Sequence, residues 1–97
     1  MTPQYQRFNW NNRDYMNGVA KTLNINGTVF SAVCHDGSYG GKNGLWEIGI
    51  WEEDGDWITK DIFGGDDDVR GYLTWTEVIE MVEKTYDYVG ARICEQS

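Results

Sequence analysis

The sequence predicts a small α+β domain in which a three-stranded antiparallel sheet packs against two helices, in the order α-β-β-β-α. The chain has 97 residues, which is enough for one hydrophobic core and too few for a second domain. Apolar residues make up 40% of it and aromatic residues 14%, a composition typical of a folded chain. Helical and β-strand spacings of apolar residues follow one another in the stated order. We therefore expect residues 1–97 to form one acidic α+β domain.

The first helix is predicted over residues 13–23, with Asn11 or Asn12 as its N-cap. The apolar residues of this segment fall on one helical stripe. They are Tyr15, Met16, Val19, Ala20 and Leu23. Gly18 lies inside the stripe and costs about 1 kcal/mol of helix stability relative to alanine, so the helix is expected to depend on its packing partner.

Three strands are predicted to follow. The turn dipeptide Asn26-Gly27 precedes a β-branched and aromatic run at residues 28–34, which is the first strand. Residues 35–44 contain four glycines and are expected to form a loop. Residues 45–51 alternate in polarity, and we expect them to pair with residues 57–63 in a hairpin. The core face of the second strand should carry Trp46, Ile48 and Ile50. Residues 64–71 are predicted to be a second, acidic loop.

The last helix is predicted from Trp75 to Val89. Thr74 and Glu77 have the spacing of a capping box, and Gly90 is expected to end the helix in a left-handed conformation. At helical spacing the buried face should carry Trp75, Val78, Ile79, Val82, Tyr86 and Val89. The outer face should carry Glu77, Glu80, Glu83 and Asp87. Residues 92–94 are either a frayed tail or a short fourth strand.

The charge of the chain is uneven. The net charge is −8 and the isoelectric point is about 4.4. Residues 52–87 hold twelve carboxylates against three basic side chains, a balance of −9, whereas residues 1–46 balance at +2. Phosphates need cations to neutralise them, so we expect a basic protein partner and no direct contact with nucleic acid or membrane. An acidic surface that only keeps the protein soluble is the alternative. The sequence leaves open whether the protein is a monomer or a dimer.

The cysteines and the N-terminus indicate a cytoplasmic protein. The N-terminal residues lack the apolar stretch of a signal peptide, and no apolar run is long enough to span a membrane. Cys34 and Cys94 lie 60 positions apart and are expected to be free thiols. A bridge between them is the alternative if the C-terminal tail returns beside the strand that carries Cys34.

No catalytic set is expected. The single histidine, His35, is adjacent to Cys34, and neighbours on a strand point to opposite faces. Asp61 and the run of Asp66, Asp67 and Asp68 have the oxygen ligands that Mg²⁺ or Ca²⁺ prefers, but their spacing fits no EF-hand loop. We expect a solvated acidic loop, no metal, no other cofactor and no enzymatic activity.

Two resemblances bear on function. The element order is similar to that of double-stranded RNA-binding domains, which present lysine to phosphate where this chain has Trp75-Thr76-Glu77, so RNA binding is not expected. The stretch Ser38-Tyr-Gly-Gly-Lys-Asn-Gly-Leu45 with Glu47 resembles prophage proteins. The size, acidity and aromatic content resemble small accessory proteins of bacteriophages and other mobile elements, in particular anti-CRISPR proteins. This resemblance implies a stoichiometric inhibitor that covers a basic, nucleic-acid-binding surface of a host complex.

We therefore predict a non-enzymatic binding protein that acts in the host cell cytoplasm if it is phage-encoded. An immunity or antitoxin-like protein that neutralises a basic nuclease or toxin is the alternative. The predicted binding surface consists of carboxylates with aromatic side chains beside them. Its residues are Glu52, Glu53, Asp54, Asp56, Asp66, Asp67, Asp68, Glu80, Glu83, Asp87, Tyr39 and Tyr88.

Overall fold

In the part of the chain that the structure describes, five antiparallel strands form one sheet, in which each strand pairs with the next one along the chain. The computed structural model describes residues 10–15 and 17–96, except for the side chains of Tyr15 and of residues 91–96. The strands are β1 Asn11–Tyr15, β2 Gly18–Ile25, β3 Thr28–Cys34, β4 Trp46–Glu52 and β5 Val69–Leu73. Within the described residues, the helices are the short α1 Thr59–Phe63 and the long α2 Trp75–Gln96, and a 3-10 turn lies at Gly41–Asn43. The α+β class is confirmed, but the prediction of three strands and two helices is wrong.

The predicted N-terminal helix at residues 13–23 is replaced by the β1–β2 hairpin. Asn17 has a φ of 60° and lies in the two-residue connection between the paired Tyr15 and Gly18. A side chain at Gly18 would place its Cβ 1.9 Å from the carbonyl oxygen of Cys34, so β2 approaches β3 more closely there than any other residue type allows. Every second residue of β2 from Val19 to Ile25 is apolar except Lys21. Because Lys21 interrupts this strand pattern, the apolar residues fitted the spacing of a helix better. Pairing with β3 overrides that local pattern.

The central strands agree with the sequence. The strand predicted at residues 28–34 is confirmed as β3, and the strand predicted at residues 45–51 is confirmed as β4 to within one residue. Asn26 and Gly27 both have positive φ, 51° and 92°, and make the tight two-residue turn between β2 and β3. Ile48 and Ile50 are buried, as predicted for the core face.

The predicted partner of β4 is wrong. Trp57 makes a single bridge with Trp51, and the chain then forms α1 instead of continuing as a strand over residues 57–63. Ile58 and Ile62 are four residues apart, which is the spacing of one helix face, and both belong to the core or pack against it. The strand that pairs with β4 is β5, in a segment that the sequence assigned mostly to a loop.

Helix α2 begins as predicted and ends later. The capping box is confirmed, because the Glu77 carboxylate accepts the Thr74 N–H at 2.9 Å and the Thr74 hydroxyl accepts the Glu77 N–H at 3.2 Å. Gly90 does not end the helix, which continues to Gln96 through residues 92–94. On the inner face Thr85 is buried, whereas Tyr86, predicted to be buried, is 40% exposed. Among the helices of residues 10–15 and 17–96, none is long and apolar enough to cross a membrane.

The core lies between α2 and one face of the sheet. Phe30 is fully buried, and its ring meets Trp10 at 6.1 Å between centroids. The members of the core cluster are Leu23, Ile25, Phe30, Ala32, Ile48, Ile50, Ile58, Val78, Val82 and Val89. Cys34 is a free thiol, as expected, while the side chain of Cys94 lies outside the described residues.

Replacing Val82 by alanine should lower the free energy of unfolding by about 1–4 kcal/mol, because the removed methyl groups leave a cavity in the core. Glu80 is an exposed neighbour on the same helix, and Glu80→Ala should change the free energy by less than about 0.5 kcal/mol. Urea denaturation followed by circular dichroism measures both changes. A larger loss for Glu80→Ala than for Val82→Ala would show that the helix faces are reversed.

Gly90→Ala should raise the free energy of unfolding by about 0.5–1 kcal/mol, because alanine loses less backbone entropy than glycine in a helix. A Cβ at this position meets nothing within 4 Å. The same denaturation experiment tests the end of the helix directly. If Gly90 were a left-handed stop, as the sequence suggested, alanine would destabilise the protein instead.

Candidate functional site

An acidic cleft of about 470 Å³ lies where the carboxyl end of β4 and the connection to α1 meet helix α2. Its described lining residues are Glu52, Asp54, Asp56, Trp57, Ile58, Asp61 and Tyr88. Four of these seven residues carry carboxylates and two carry aromatic rings. We refer to this site as the acidic cleft.

The turn after β4 supplies three of the carboxylates. The Glu52 N–H donates to the carbonyl of Asp56 at 2.8 Å, and the Gly55 N–H donates to the carbonyl of Glu52 at 2.9 Å. The Asp54 carboxylate accepts the Asp56 N–H at 3.1 Å. Gly55 has a φ of 101°, a conformation that favours glycine. These bonds close residues 52–56 into one turn, which carries Glu52, Asp54 and Asp56.

Trp57 forms one wall of the cleft. Its ring lies 5.1 Å from that of Trp51, with 55° between the planes, and covers Gly49 on β4. A Cβ at Gly49 would lie 2.7 Å from Cζ3 of Trp57, so the absence of a side chain there makes room for the indole. Trp57 remains 44% exposed and is one of the residues that line the cleft.

Thr59 attaches α1 to the sheet. Its hydroxyl accepts the Ile50 N–H at 2.9 Å and lies 3.4 Å from the Ile50 carbonyl, to which it donates. The Ile58 N–H donates to the same carbonyl at 2.9 Å. Thr59 is fully buried, so these bonds are shielded from water and strong. They fix the first turn of α1, and with it Asp61, beside the turn after β4.

The lining of the acidic cleft favours a cation. None of its described lining residues is basic, and the Glu52 carboxylate is oriented by the hydroxyl of Thr28, which donates to it at 3.2 Å. Aromatic faces attract ammonium and guanidinium groups, and carboxylates pair with both. Among the residues that the structure describes, no group of three His, Cys, Asp or Glu side chains is arranged to hold a metal ion. A lysine or arginine side chain has the matching chemistry.

The cleft contains one part of the predicted binding surface. It brings together Glu52, Asp54, Asp56 and Tyr88. Glu53 instead faces Asn24, whose amide donates to it at 3.4 Å. The loop after α1 carries Asp66 and Asp67, and also Asp68, whose carboxylate lies 3.7 Å from the Lys60 ammonium. Tyr39 lies in a different groove, and the α2 residues Glu80, Glu83 and Asp87 are not among the described lining residues.

Three lining residues, Trp57, Ile58 and Asp61, were not predicted as binding residues. Asp61 was considered only as a metal ligand with the later aspartates, and Trp57 was assigned to a strand. Helical spacing of Ile58 and Ile62 was the available signal for α1, which would have moved Asp61 next to the turn after β4. Comparison of the chain with protein-family models, with curated proteins and with solved structures finds no match.

Gly49→Ala should displace Trp57 from β4, because the new methyl group overlaps the indole ring. The ring edge belongs to a partly exposed side chain and can move, so we expect a cost of only about 1 kcal/mol, at the low end for an added methyl group. The circular dichroism of the Trp51–Trp57 pair should weaken, and Trp57 should become more accessible to acrylamide quenching. The variant Trp57→Phe lacks this pair of indoles and therefore shows which circular dichroism and fluorescence signals come from Trp51 and Trp57 together. Unchanged spectra in Gly49→Ala would contradict this packing.

Proposed function

We propose that the protein is a non-enzymatic binding protein that occupies a basic, nucleic-acid-binding surface of a protein partner. The observation that carries this proposal is the acidic cleft, which is lined by four carboxylate residues together with Trp57 and Tyr88 and has no basic side chain among the described lining residues. A lysine or arginine of the partner enters the cleft and forms the central contact.

The residues of the cleft favour binding of a basic side chain of a protein over unspecific binding of cations from solution. An arginine guanidinium stacks on an aromatic face and pairs with a carboxylate at the same time. Trp57 is a partly exposed tryptophan, a residue type that often dominates the binding energy of protein interfaces. Its contact with Gly49 and Trp51 holds it in place before binding, which reduces the entropy lost on association.

The surrounding charge supports a partner that normally binds nucleic acid. Surfaces that bind phosphates carry several lysine and arginine side chains, and residues 52–87 of this chain have a balance of −9. Exposed carboxylates outside the cleft, such as Glu80 and Asp87, accelerate the encounter with such a surface. Together with the resemblance to small phage accessory proteins, this charge supports a phage or mobile-element inhibitor of a host defence complex, of the anti-CRISPR kind.

Two variants with the same change of charge test the cleft. Asp56→Asn/Asp61→Asn removes two charges from the lining, and Glu80→Gln/Asp87→Asn removes two from the exposed face of α2. With a fluorescein-labelled nona-arginine peptide as probe, anisotropy titration should show at least about tenfold weaker binding for the first variant and less than about threefold for the second. The on-rate of both should depend less on salt than that of the parent.

Equal losses in the two variants would contradict the proposal that the cleft is the binding site and would indicate diffuse attraction. Urea denaturation of each variant controls for folding. The partner itself is sought by capture from host lysate, where a basic nucleic-acid-binding complex is expected. Specific capture of a cognate toxin by the cleft would contradict the anti-defence role.

A further inference from the structure

A second exposed surface lies at the other end of β4, where two tyrosines stand side by side. Tyr39 is 60% exposed and Tyr72 is 63% exposed. Their ring centroids are 6.4 Å apart and the planes are inclined by 31°. The rings border a groove of about 280 Å³, whose described lining residues are Tyr39, Asp67, Val69, Arg70, Gly71 and Tyr72. We call this surface the tyrosine groove.

Backbone contacts hold the two tyrosines in place. The Glu47 carboxylate accepts the N–H of Tyr39 at 2.9 Å, and the carbonyl of Tyr39 accepts the N–H of Tyr72 at 3.3 Å. A Cβ at Gly71 would lie 2.4 Å from the Cβ of Tyr39, so only glycine lets the loop approach β5 this closely. The pair is therefore positioned before any ligand binds, which lowers the entropy cost of binding.

Tyr72 lies at a β-bulge, in a backbone conformation that strains a tyrosine but would not strain a glycine. β5 has two residues, Gly71 and Tyr72, between the pairs Trp46–Leu73 and Ile48–Arg70, where β4 has only Glu47. In this bulge Tyr72 has a φ of 58°, a conformation in which a bulky residue is an outlier. Its ring is mostly exposed and contributes little to the core. Strained residues of this kind cluster at functional sites. The exposed ring of Tyr72, rather than its backbone, is then the reason for a tyrosine at this position.

The groove is lined by one charge of each sign, on Asp67 and Arg70, beside the two tyrosine rings. Asp67 lines it, and Asp66 is exposed next to Asp67. The guanidinium of Arg70 donates to the carbonyls of Phe63 and Gly64. A second guanidinium can stack on the tyrosine rings and pair with Asp67.

We propose that the tyrosine groove binds an arginine side chain of a protein partner, as a contact separate from the acidic cleft. This inference takes from the proposed function only that the partner is a basic protein. The binding of arginine in the groove is argued from the groove itself. The tyrosines lie beside Glu47 of β4, to which Tyr39 is bonded, and the cleft lies at Glu52, five residues further along the strand. At about 3.3 Å per residue the two contacts are on the order of 15 Å apart. A partner that uses both must present two basic side chains at that separation.

The probe is N-acetyl-L-arginine methylamide, titrated at millimolar concentration while the ring resonances of Tyr39 and Tyr72 are followed by NMR. Both sets should shift with one dissociation constant, which should increase at least about fivefold in Tyr39→Ala and in Tyr72→Gly. Tyr72→Phe should bind nearly as the parent does. The Asp56→Asn/Asp61→Asn variant should leave these shifts unchanged, so the groove and the cleft are tested separately. If neither tyrosine shifts, the groove does not bind arginine.

Thermal unfolding distinguishes a binding role from a structural one. Glycine accepts a positive φ without strain, so Tyr72→Gly should keep or raise the melting temperature, by up to about 5 °C, while it loses the probe. A clear fall in the melting temperature would show that Tyr72 supports the fold and would overturn the inference. Retention of probe binding by Tyr72→Gly would overturn it as well.

Discussion

The packing of Phe30 in the middle of the sheet is the contact on which the other parts of the structure depend. Its cross-strand neighbours are Leu23 on β2 and Ile50 on β4, and the same core cluster contains Val78 and Val82 of α2. A shift of one residue in either pairing would turn its neighbours to the wrong face. This register also determines where the backbone of Ile50 lies, and therefore where Thr59 can bond to it. The acidic cleft is thus positioned from the core outward.

Strand β4 connects the two proposed contact surfaces. Glu47 orients Tyr39 near one end, Glu52 contributes to the acidic cleft at the other, and Ile48 and Ile50 are buried between them. A strand that is paired on both sides and buried in its middle does not bend or stretch appreciably. The distance between the surfaces is therefore set by the fold. A partner that contacts both gains from the high effective concentration of the second contact once the first has formed.

The sequence predicts the turns and helix caps of this fold, which depend on neighbouring residues. It does not predict the strands whose conformation depends on pairing with another strand. Asn26-Gly27 and the Thr74–Glu77 capping box are short motifs whose chemistry determines their geometry, and both appear where the sequence places them. The β1–β2 hairpin was missed because Lys21 breaks the strand alternation, and its side chain instead lies 5.7 Å from the ring centroid of Trp75. β5 was missed because Gly71 in a short acidic context is typical of a loop. Its strand conformation comes from pairing with β4.

The candidate site could be predicted only in part for the same reason. Residues 52–56 are neighbours in the chain, so their shared location follows from the turn itself. Asp61 and Tyr88 reach the cleft only because Thr59 attaches α1 to β4 and because α2 crosses the sheet. The spacing of residues in the sequence predicts neither of these two contacts. The left-handed conformation of Tyr72 is likewise a property of the bulge and has no signal in the residues around it.

The order of the strands has a consequence for synthesis of the chain. Because each strand pairs with the one before it, the sheet can extend as the chain leaves the ribosome, without waiting for distant segments. Phe30 and Ile50 are in place once β4 has emerged at residue 52, but the helix that covers them begins only at Trp75. An apolar sheet face is thus exposed until α2 has also left the ribosome. In that interval the nascent chain is most vulnerable to aggregation and most accessible to chaperones.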